Sequence, residues 1–136
     1  MSELLKSLDV SASGMRAQGT RLRVISENVA NAGSTALKPG EDPYRRKLVT
    51  FGSELNRELG VELVDVKRIS RDPSDFGSRY QPSHPAADPS GYVATSNVNT
   101  VIEMADMREA ERSYQANLKV LQASRRMLQQ TIELLR

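Results

Sequence analysis

Toward the C-terminus, apolar side chains recur every three or four residues along an uninterrupted stretch. Between Thr100 and Leu135 the chain contains no proline or glycine, and this spacing forms one face of an α-helix, close to the a/d pattern of a coiled coil. The members of this C-terminal stripe are Met104, Met107, Ala110, Tyr114, Leu118, Leu121, Leu128, Ile132 and Leu135. At about 1.5 Å per residue the helix would be roughly 50 Å long, more than a small globular domain needs. The pattern therefore predicts that another surface lies along this helix.

A second amphipathic segment, from about Leu4 to Ala32, predicts a weaker N-terminal helix. Gly14 and Gly19 interrupt it, and each costs about 1 kcal/mol relative to alanine in a helix interior. The small residues around Gly14 would also let another backbone approach closely. The members of this N-terminal stripe are Leu8, Met15, Leu22, Ile25 and Val29, most of them at heptad spacing, and Leu4, Ala12 and Ala32 lie next to them on the same face.

Capping signals give the expected helix boundaries. Thr100 and Glu103 match a Thr-x-x-Glu capping box, in which each side chain binds a free backbone N–H at the start of the helix. Gly33 is expected to end the N-terminal helix in the left-handed conformation that glycine adopts readily.

The segment between the helices predicts short strands and loops. Ala30–Pro43 is expected to be a linker, and Gly52–Gly60 one helical turn or a loop. Asp72–Ser90, with its four prolines, is expected to be an extended or turning loop rather than a central strand. The β-branched and aromatic runs that predict strands are Tyr44–Phe51, Val61–Ile69 and Gly91–Thr95.

These elements predict a mainly α protein with a small β insert. We expect residues 1–33 to form an N-terminal helix, residues 34–99 a linker and a small β-rich insert, and residues 100–136 a C-terminal helix. The two helices are expected to pair as an antiparallel coiled coil. Such a pair buries little apolar surface for the chain it must order, so both helices need further apolar contacts. Other copies of the chain or related chains are the expected source, which indicates a subunit of an assembly.

Composition and charge narrow the function classes. Hydrophobic residues make up 38% of the chain and aromatic residues 4%, too little for a large compact core. The formal net charge is only +2, and the basic clusters at Arg45–Lys47, Lys67–Arg68 and Arg125–Arg126 come without a row of stacking aromatics, so nucleic-acid binding is not expected. The chain has no cysteine, which excludes disulfides, zinc–thiolate sites and cysteine nucleophiles.

The sequence contains no recognisable arrangement of catalytic or cofactor-binding residues. His84 is the only histidine, and we expect it to make a turn or packing contact in a loop. Neither a Gly-x-Ser-x-Gly elbow nor a glycine-rich phosphate loop is present. Glu109 and Glu111 lie among arginines and are expected to form a solvated or salt-bridged face. We therefore expect no enzyme activity, no cofactor and no metal.

The sequence also lacks the usual targeting signals. No segment is long and apolar enough to span a bilayer, and the N-terminus lacks the basic region, apolar core and cleavage site of a secretory signal. The expected location is the cytoplasm, or a compartment reached by an export route that uses no such signal.

Two parts of the sequence resemble flagellar axial proteins. The run from Ile25 to Thr35 is similar to the Ser-x-Asn-x-Ala-Asn signature of rod, hook and filament subunits. The second half is more specific and resembles the flagellar basal-body rod protein family, in particular its members from the proximal rod. The residues that carry this resemblance are Asp72-Pro73-Ser74, Phe76, Tyr80, Pro82, His84-Pro85, Gly91-Tyr92-Val93, Asn97-Val98-Asn99, Glu103-Met104, Asp106-Met107, Ala110, Arg112, Tyr114 and Ala116-Asn117, together with Pro43-Tyr44-Arg45-Arg46.

The resemblance implies a structural subunit of the proximal rod, which transmits torque in the bacterial flagellum. In that family both termini form a helical core and the middle forms an outer β domain. The implied partners are other rod proteins, further copies of the chain and the flagellar type III export apparatus. The implied location is the basal body, in the periplasm, reached without a cleaved signal peptide. Thr35–Asp42 is the least characteristic segment.

Three asparagines near the predicted helices have two open interpretations. Asn28, Asn31 and Asn117 would fix the register of packed helices through hydrogen bonds, as buried asparagine does in coiled coils. Alternatively, the first two cap a helix end and the third is exposed to solvent. With the two stripes they make up the predicted assembly interface.

Three classes of function therefore remain for the chain. The main prediction is an assembly subunit whose terminal helices order against their neighbours. The alternative is a cytoplasmic helical adaptor that binds a partner helix in a groove. A nucleic-acid binder is the third and least supported.

Overall fold

The described chain begins and ends with a long helix. The computed structural model describes residues 2–135, with helix α1 over Ser2–Ala30 and helix α2 over Thr100–Leu134. Both helices predicted from the apolar periodicity are confirmed, and α1 continues through its two glycines. Among the described residues, no helix is both long and apolar enough to cross a membrane.

Asn99 caps the start of α2. Its Oδ1 accepts hydrogen bonds from the backbone N–H groups of Val101 (3.0 Å) and Ile102 (3.5 Å), and its carbonyl accepts one from the N–H of Glu103 (3.0 Å). The predicted capping box of Thr100 and Glu103 is therefore wrong. The Glu103 carboxylate is bound elsewhere, by Asn28 and an arginine.

Asn31 closes the end of α1. Its backbone N–H and its Nδ2 both donate to the carbonyl of Glu27, at 3.1 and 2.8 Å, and its own carbonyl accepts from the N–H of Ser34 at 3.0 Å. Gly33 does not have a positive φ, so the prediction that it ends the helix in the left-handed conformation is wrong. The helix stops at Ala30, and the asparagine supplies the capping hydrogen bonds.

Two small sheets lie between the helices in the chain. Each sheet has two strands, and the first is a hairpin because a short turn joins its strands. The mainly α fold with a small β insert is confirmed. The strands are β1 (Lys47–Asn56) and β2 (Val61–Arg71) in the first sheet, and β3 (Gly77–Tyr80) and β4 (Tyr92–Thr95) in the second.

The sequence did not predict β3. Its Gly-Ser-Arg-Tyr segment is exposed throughout, so it shows no apolar alternation. The strand pairs antiparallel with β4, from Gly77 opposite Thr95 to Tyr80 opposite Tyr92, and the two tyrosine rings meet edge to face with centroids 5.3 Å apart. The predicted loop is wrong for these residues. Their side chains are exposed, and backbone pairing with β4 is what makes them a strand.

The turn between β1 and β2 starts later than predicted. Gly52–Asn56 belongs to β1, so the expectation of a helical turn or loop is wrong for these residues and holds only for the four that follow. Asn56 organises the turn, because its Oδ1 accepts from the N–H groups of Glu58 (3.0 Å) and Leu59 (3.2 Å). Gly60 closes it with a φ of 66°.

A serine of α1 binds the edge of the hairpin. Ser13 donates to the carbonyl of Val10 at 2.7 Å and accepts from the backbone N–H of Val64, in β2, at 3.2 Å. Its short side chain lets the strand approach the helix, as expected for the small residues around Gly14.

A small apolar cluster packs beside β4. Ala36, Ala86 and Val93 are buried, and His84 lies next to them. The His84 ring accepts a hydrogen bond at Nδ1 from the N–H of Ala86 (3.0 Å), and its Nε2 lies 3.1 Å from the hydroxyl oxygen of Thr35. The prediction of a loop histidine with a turn contact is confirmed.

The chain packs into two compact units. The first unit contains the described residues up to Leu22, Thr50–Arg68, and the described residues from Arg108 onward. The second unit contains Arg23–Val49 and Ile69–Met107.

Candidate assembly site

Within the first unit, α1 and α2 run antiparallel. The Ser7 and Ser124 hydroxyl oxygens lie 3.2 Å apart, and an Arg21 guanidinium nitrogen lies 3.5 Å from a carboxylate oxygen of Glu109. Residue numbers thus rise along α1 while those of its partners on α2 fall. Both of these contacts join polar side chains.

A close approach of the two helices occurs at Gly14. A Cβ atom added there would lie 2.8 Å from Nδ2 of Asn117, which is too close for an ordinary contact. Asn117 is half-buried, so the solvent-exposed alternative does not describe it. Sequence reasoning identified both residues but not their contact, because no pattern pairs a glycine with an asparagine so distant in the chain.

Much of the predicted stripe surface remains uncovered within one chain. Met104, Ile132 and Leu135 expose 52%, 48% and 75% of their surface, whereas Ala110 is buried. In α1, Ile25 and Asn28 are buried. The remaining predicted positions are half-buried, namely Leu8, Met15, Leu22, Val29, Asn31, Met107, Tyr114, Asn117, Leu118, Leu121 and Leu128.

An apolar groove runs along the first unit. Its volume is about 410 Å³, and Gly19 leaves an opening in it, since nothing lies within 4 Å of a Cβ atom built at that residue. Side chains of both helices form its walls. The residues that line it are Ala12, Met15, Arg16, Gly19, Tyr114 and Leu121.

A second apolar line on α2 was missed by sequence reasoning. Val120, Met127 and Leu134 expose 46%, 52% and 87% of their surface and recur every seven residues. Each precedes a leucine of the predicted stripe, so the heptad spacing was visible in the sequence. The single-stripe interpretation left it out. Near its C-terminal end, α2 therefore presents two neighbouring apolar lines.

In the second unit, Asn28 is the centre of a buried polar cluster. Only 1% of the residue is exposed. Its Nδ2 donates to the Lys47 carbonyl (2.9 Å) and to a Glu103 carboxylate oxygen (3.1 Å), and its Oδ1 accepts from the Lys47 N–H (2.9 Å) and the Tyr44 hydroxyl (2.8 Å). All four hydrogen-bonding positions of the amide are used. The amide pairs with Lys47 as a neighbouring strand would, and it is not a helix cap.

Arg46 binds three carboxylates in this Asn28 cluster. Its Nε is hydrogen-bonded to Glu103, its Nη1 lies 3.2 Å from Asp72, and its Nη2 lies 3.5 Å from Asp106. Burial disfavours the charged guanidinium, but the hydrogen bonds and charges of Glu103 and Asp72 outweigh it and raise the pKa of Arg46. Glu103 is 1% exposed, and its carboxylate is paired with the half-buried Arg46 and hydrogen-bonded by the buried Asn28, as a carboxylate removed from water requires.

A loop turn is attached to the same cluster. The backbone N–H of Ser74 (2.9 Å) and its hydroxyl lower the pKa of Asp72, with a further contribution from Arg46 against the effect of burial. Asn97 accepts from the Arg46 N–H at 2.7 Å, and its Nδ2 donates to the carbonyls of Asp72 (3.2 Å) and Ser74 (3.1 Å). These residues carry much of the family resemblance, but their contacts were not predicted.

Two further groups, at the rim of the Asn28 cluster, have shifted pKa values. Burial raises the pKa of the Tyr44 hydroxyl, and the carboxylates of Glu27 and Glu103 raise it further while Lys47 opposes them. The hydrogen bond from Lys47 Nζ (2.8 Å), together with Arg23, lowers the pKa of Glu27. The carboxylates of this cluster are thus paired with cations and hydrogen-bond donors. Such an arrangement stabilises the folded chain.

Two family models match parts of this chain. Residues 8–36 match the family model described as flagella basal body rod protein, and residues 90–134 match the model described as flagellar basal body rod FlgEFG protein C-terminal. The first match includes Asn28 and the second includes Glu103. Among the described residues, no group of three or more histidine, aspartate or glutamate side chains is arranged to hold a metal ion.

Three curated relatives match along nearly their whole length, and each is named flagellar basal-body rod protein FlgC. The protein of Agrobacterium fabrum is 54% identical over 136 residues, which cover 100% of this chain and 98% of the relative. The protein of Bacillus subtilis is 39% identical, with 94% and 95% covered. The protein of Salmonella typhimurium is 37% identical, with 96% and 97% covered.

Proposed function

The chain belongs to the FlgC family of flagellar basal-body rod proteins, which are structural proteins and not enzymes, and we propose that it is a subunit of the proximal rod. In this proposal it transmits torque by packing its terminal helices against neighbouring rod subunits. The predicted interface residues of both stripes would make those contacts.

The observation that carries the proposal is the apolar surface of α2. Ile132, Met127 and Leu134 each expose about half of their surface or more. Single exposed apolar residues are ordinary, but lines of them at heptad spacing are typical of helices that pack against a partner. For a member of this family, neighbouring rod subunits are the expected partners.

The proposed rod core consists of residues 1–33 and 100–136, paired as an antiparallel coiled coil, and residues 34–99 form the outer insert. The contact of Ser7 with Ser124 and that of Gly14 with Asn117 support the antiparallel pairing. Small side chains at such a contact bring helix axes together and leave the apolar stripes on the flanks for other subunits.

The groove beside Gly19 is proposed to receive a helix from a neighbouring subunit. Its walls are mainly apolar, and the missing side chain at Gly19 leaves space for an incoming residue. Helices pack by inserting ridges of side chains into such grooves. The exposed line of Val120, Met127 and Leu134 is a ridge of this kind on the same chain, which suits a head-to-tail contact that continues along a helical array.

Asn28 and Asn117 are proposed to fix the register of the helices. The hydrogen bonds of Asn28 require Lys47 and Glu103 at defined positions, so a slipped helix would leave its buried amide without partners. The amide of Asn117 occupies the space that the missing side chain at Gly14 leaves, so a larger residue at position 14 would displace it. Asn31 closes the end of α1 and needs no part in register.

Membership of the family supports proposals for further partners and for the location. We propose that the chain contacts other rod proteins and copies of itself, passes through the flagellar type III export apparatus and assembles in the periplasm without a cleaved signal peptide. The absence of cysteine is compatible with passage as an unfolded chain.

A substitution in the groove tests the proposal. Leu121→Asp should abolish motility in a strain that lacks the native protein, because it places an unpaired carboxylate on a surface that assembly would bury. The measurement is swimming, together with the amount of the protein in isolated basal bodies. Gln122→Asp, at the exposed neighbouring residue, is the matched control and should assemble normally. Normal swimming of Leu121→Asp would reject the stripe as an interface.

A further inference from the structure

The turn between β1 and β2 is surrounded by acidic side chains. From Ser53 to Glu62 the chain contains three glutamates and one arginine, namely Glu54, Glu58, Glu62 and Arg57. The three glutamates are exposed, and the ion pairs described for the chain do not include them. This end of the hairpin therefore has a net negative charge that is not neutralised by the described residues.

The same turn is well ordered within one chain. Asn56 Oδ1 accepts from the N–H groups of Glu58 and Leu59, and the Asn56 carbonyl accepts from the N–H of Gly60 at 2.8 Å. Next to these residues, Leu55 exposes 58% of its surface. A turn that is ordered before binding loses less conformational entropy when it docks. The hairpin thus presents carboxylates and one apolar side chain in a fixed arrangement.

A pocket in the second unit has the opposite charge. Its volume is about 290 Å³, and three cations, one carboxylate and two aromatic rings line it. Lys47 is already paired with Glu27, at 2.8 Å. The charged and aromatic residues of this basic pocket are Asp42, Tyr44, Arg45, Lys47, Arg71 and Phe76.

The two arginines of the basic pocket have no carboxylate partner among the described ion pairs. Arg45 donates to the carbonyls of Asp72 (2.8 Å) and Ser74 (3.0 Å), and its guanidinium carbon lies 4.1 Å from the centre of the Phe76 ring. These contacts hold the guanidinium in place but supply no negative charge. Arg71 is exposed. The basic pocket therefore offers two positive charges and an aromatic wall to an incoming acidic segment.

We propose that the acidic turn of one copy of the chain docks in the basic pocket of a neighbouring copy. Glu58 then pairs with Arg71, and Leu55 packs against the ring of Phe76. Opposite charges on two surfaces favour their encounter and disfavour other partners. An ion pair beside an aromatic wall is less exposed to water than an isolated surface pair, so it contributes more.

The acidic turn comes from a second copy because of the topology of the hairpin. Lys47 begins β1 and Arg71 ends β2, whereas the turn joins the other two ends of these strands. Extended strands hold a turn away from the opposite ends of the same hairpin. Since the two docking surfaces differ, the contact can repeat from copy to copy. The assembly that brings the copies together is the proposed rod, so this contact rests on the proposed function.

Cross-linking in isolated basal bodies tests the contact, because the chain has no cysteine of its own. Arg57→Cys and Asp42→Cys are produced as separate copies in one strain that lacks the native protein. Both residues are exposed, one beside Glu58 and the other in the basic pocket, and neither is a partner in the proposed ion pair. A short bis-maleimide should join the two variants into a product of twice the subunit mass, identified by mass spectrometry.

Ser83→Cys in place of Asp42→Cys is the matched control. Ser83 is exposed and does not line the basic pocket, so it should not be joined to Arg57→Cys. The inference is overturned if the product is absent, if it forms equally with the control, or if Arg57→Cys is joined only to other proteins.

Exchange of the two charges is a second test. Arg71→Glu should lower the amount of the protein in basal bodies by on the order of 10-fold, because like charges then meet in the contact. Adding Glu58→Arg should restore most of the loss, and Arg79→Glu, at an exposed residue outside the basic pocket, should incorporate normally. Normal incorporation of Arg71→Glu, or no recovery in the double variant, would contradict the contact. Far-UV circular dichroism shows whether the variants fold, and if Arg71→Glu does not, the cross-linking result decides.

The wild-type chain separates failure of this contact from failure of the proposed function. Its absence from isolated basal bodies would reject the rod function. Normal incorporation of the wild type and of both cysteine variants, without the joined product, would reject the docking of the turn alone.

Discussion

Asn28 shows how one buried amide connects three segments of the chain. Its four hydrogen bonds join α1 to the start of β1 and to the first turn of α2. Each bond alone has a modest net value, but a buried donor or acceptor without a partner is expensive. An amide in this position therefore specifies which backbone and which carboxylate lie beside it.

Asp72 gives a pH-dependent test at the residue scale. Its pKa is lowered in the folded protein, so its contribution to stability is present above its unfolded pKa, about 4, and disappears as the pH falls through the lower folded value. Asp72→Asn should lower the free energy of unfolding at pH 7 by on the order of 1 kcal/mol. Urea unfolding of both proteins between neutral and acidic pH should show the difference shrinking toward the acid end.

Asp75→Asn is the control for this experiment. Asp75 is exposed, and the ion pairs described for the chain do not include it. Its stability should follow that of the wild type across the pH range. A deficit in Asp72→Asn that stays constant down to the most acidic pH would show that charge on Asp72 is not what stabilises the fold.

At the scale of elements, the two glycines of α1 should respond differently to the same substitution. Gly19→Ala should stabilise the helix by about 0.5 to 1 kcal/mol, because its Cβ has open space. Gly14→Ala gains the same helical propensity but places a methyl group 2.8 Å from Nδ2 of Asn117, so most of the gain should be lost. Far-UV circular dichroism with urea unfolding measures both.

The double variant Gly14→Ala with Asn117→Ala checks the cause. It should recover the stabilisation that Gly14→Ala alone lacks, because the clashing amide is gone. If Gly14→Ala alone is already as stable as Gly19→Ala, the helices do not approach closely at this point.

The helices were predictable because their apolar pattern repeats over many residues. Elements without such a repeat were not predictable. The 3.6-residue recurrence of apolar positions placed both helices within a few residues of their ends, and most strands were visible as β-branched runs. The short β3 has no such pattern, since its residues are exposed and only pairing with β4 defines it. Backbone pairing of this kind is not recorded in local composition.

The contacts of the Asn28 cluster were not predictable from the sequence for a related reason. Thr100 and Glu103 have the spacing of a capping box. In the folded chain, however, the Glu103 carboxylate binds Arg46 and Asn28 and not the backbone at the start of the helix. The sequence spacing is identical for both outcomes, so only tertiary contacts decide between them. The family resemblance identified most of these residues without assigning their contacts.

The whole molecule divides its stabilising contacts unevenly. The second unit is held by large buried side chains and a satisfied polar cluster, whereas the first unit leaves apolar lines open along α2. In this account the uncovered surface is what neighbouring rod subunits bury.

The most direct test uses the natural absence of cysteine. Ile132→Cys introduces a single thiol on the C-terminal stripe, at a residue that is 48% exposed in the subunit. Its labelling by a maleimide is compared between the purified subunit, isolated basal bodies and basal bodies dissociated in denaturant. We expect rapid labelling of the free and dissociated protein and strong protection in intact basal bodies. Equal labelling in intact basal bodies would show that the stripe faces solvent in the rod, and would contradict the assembly interface.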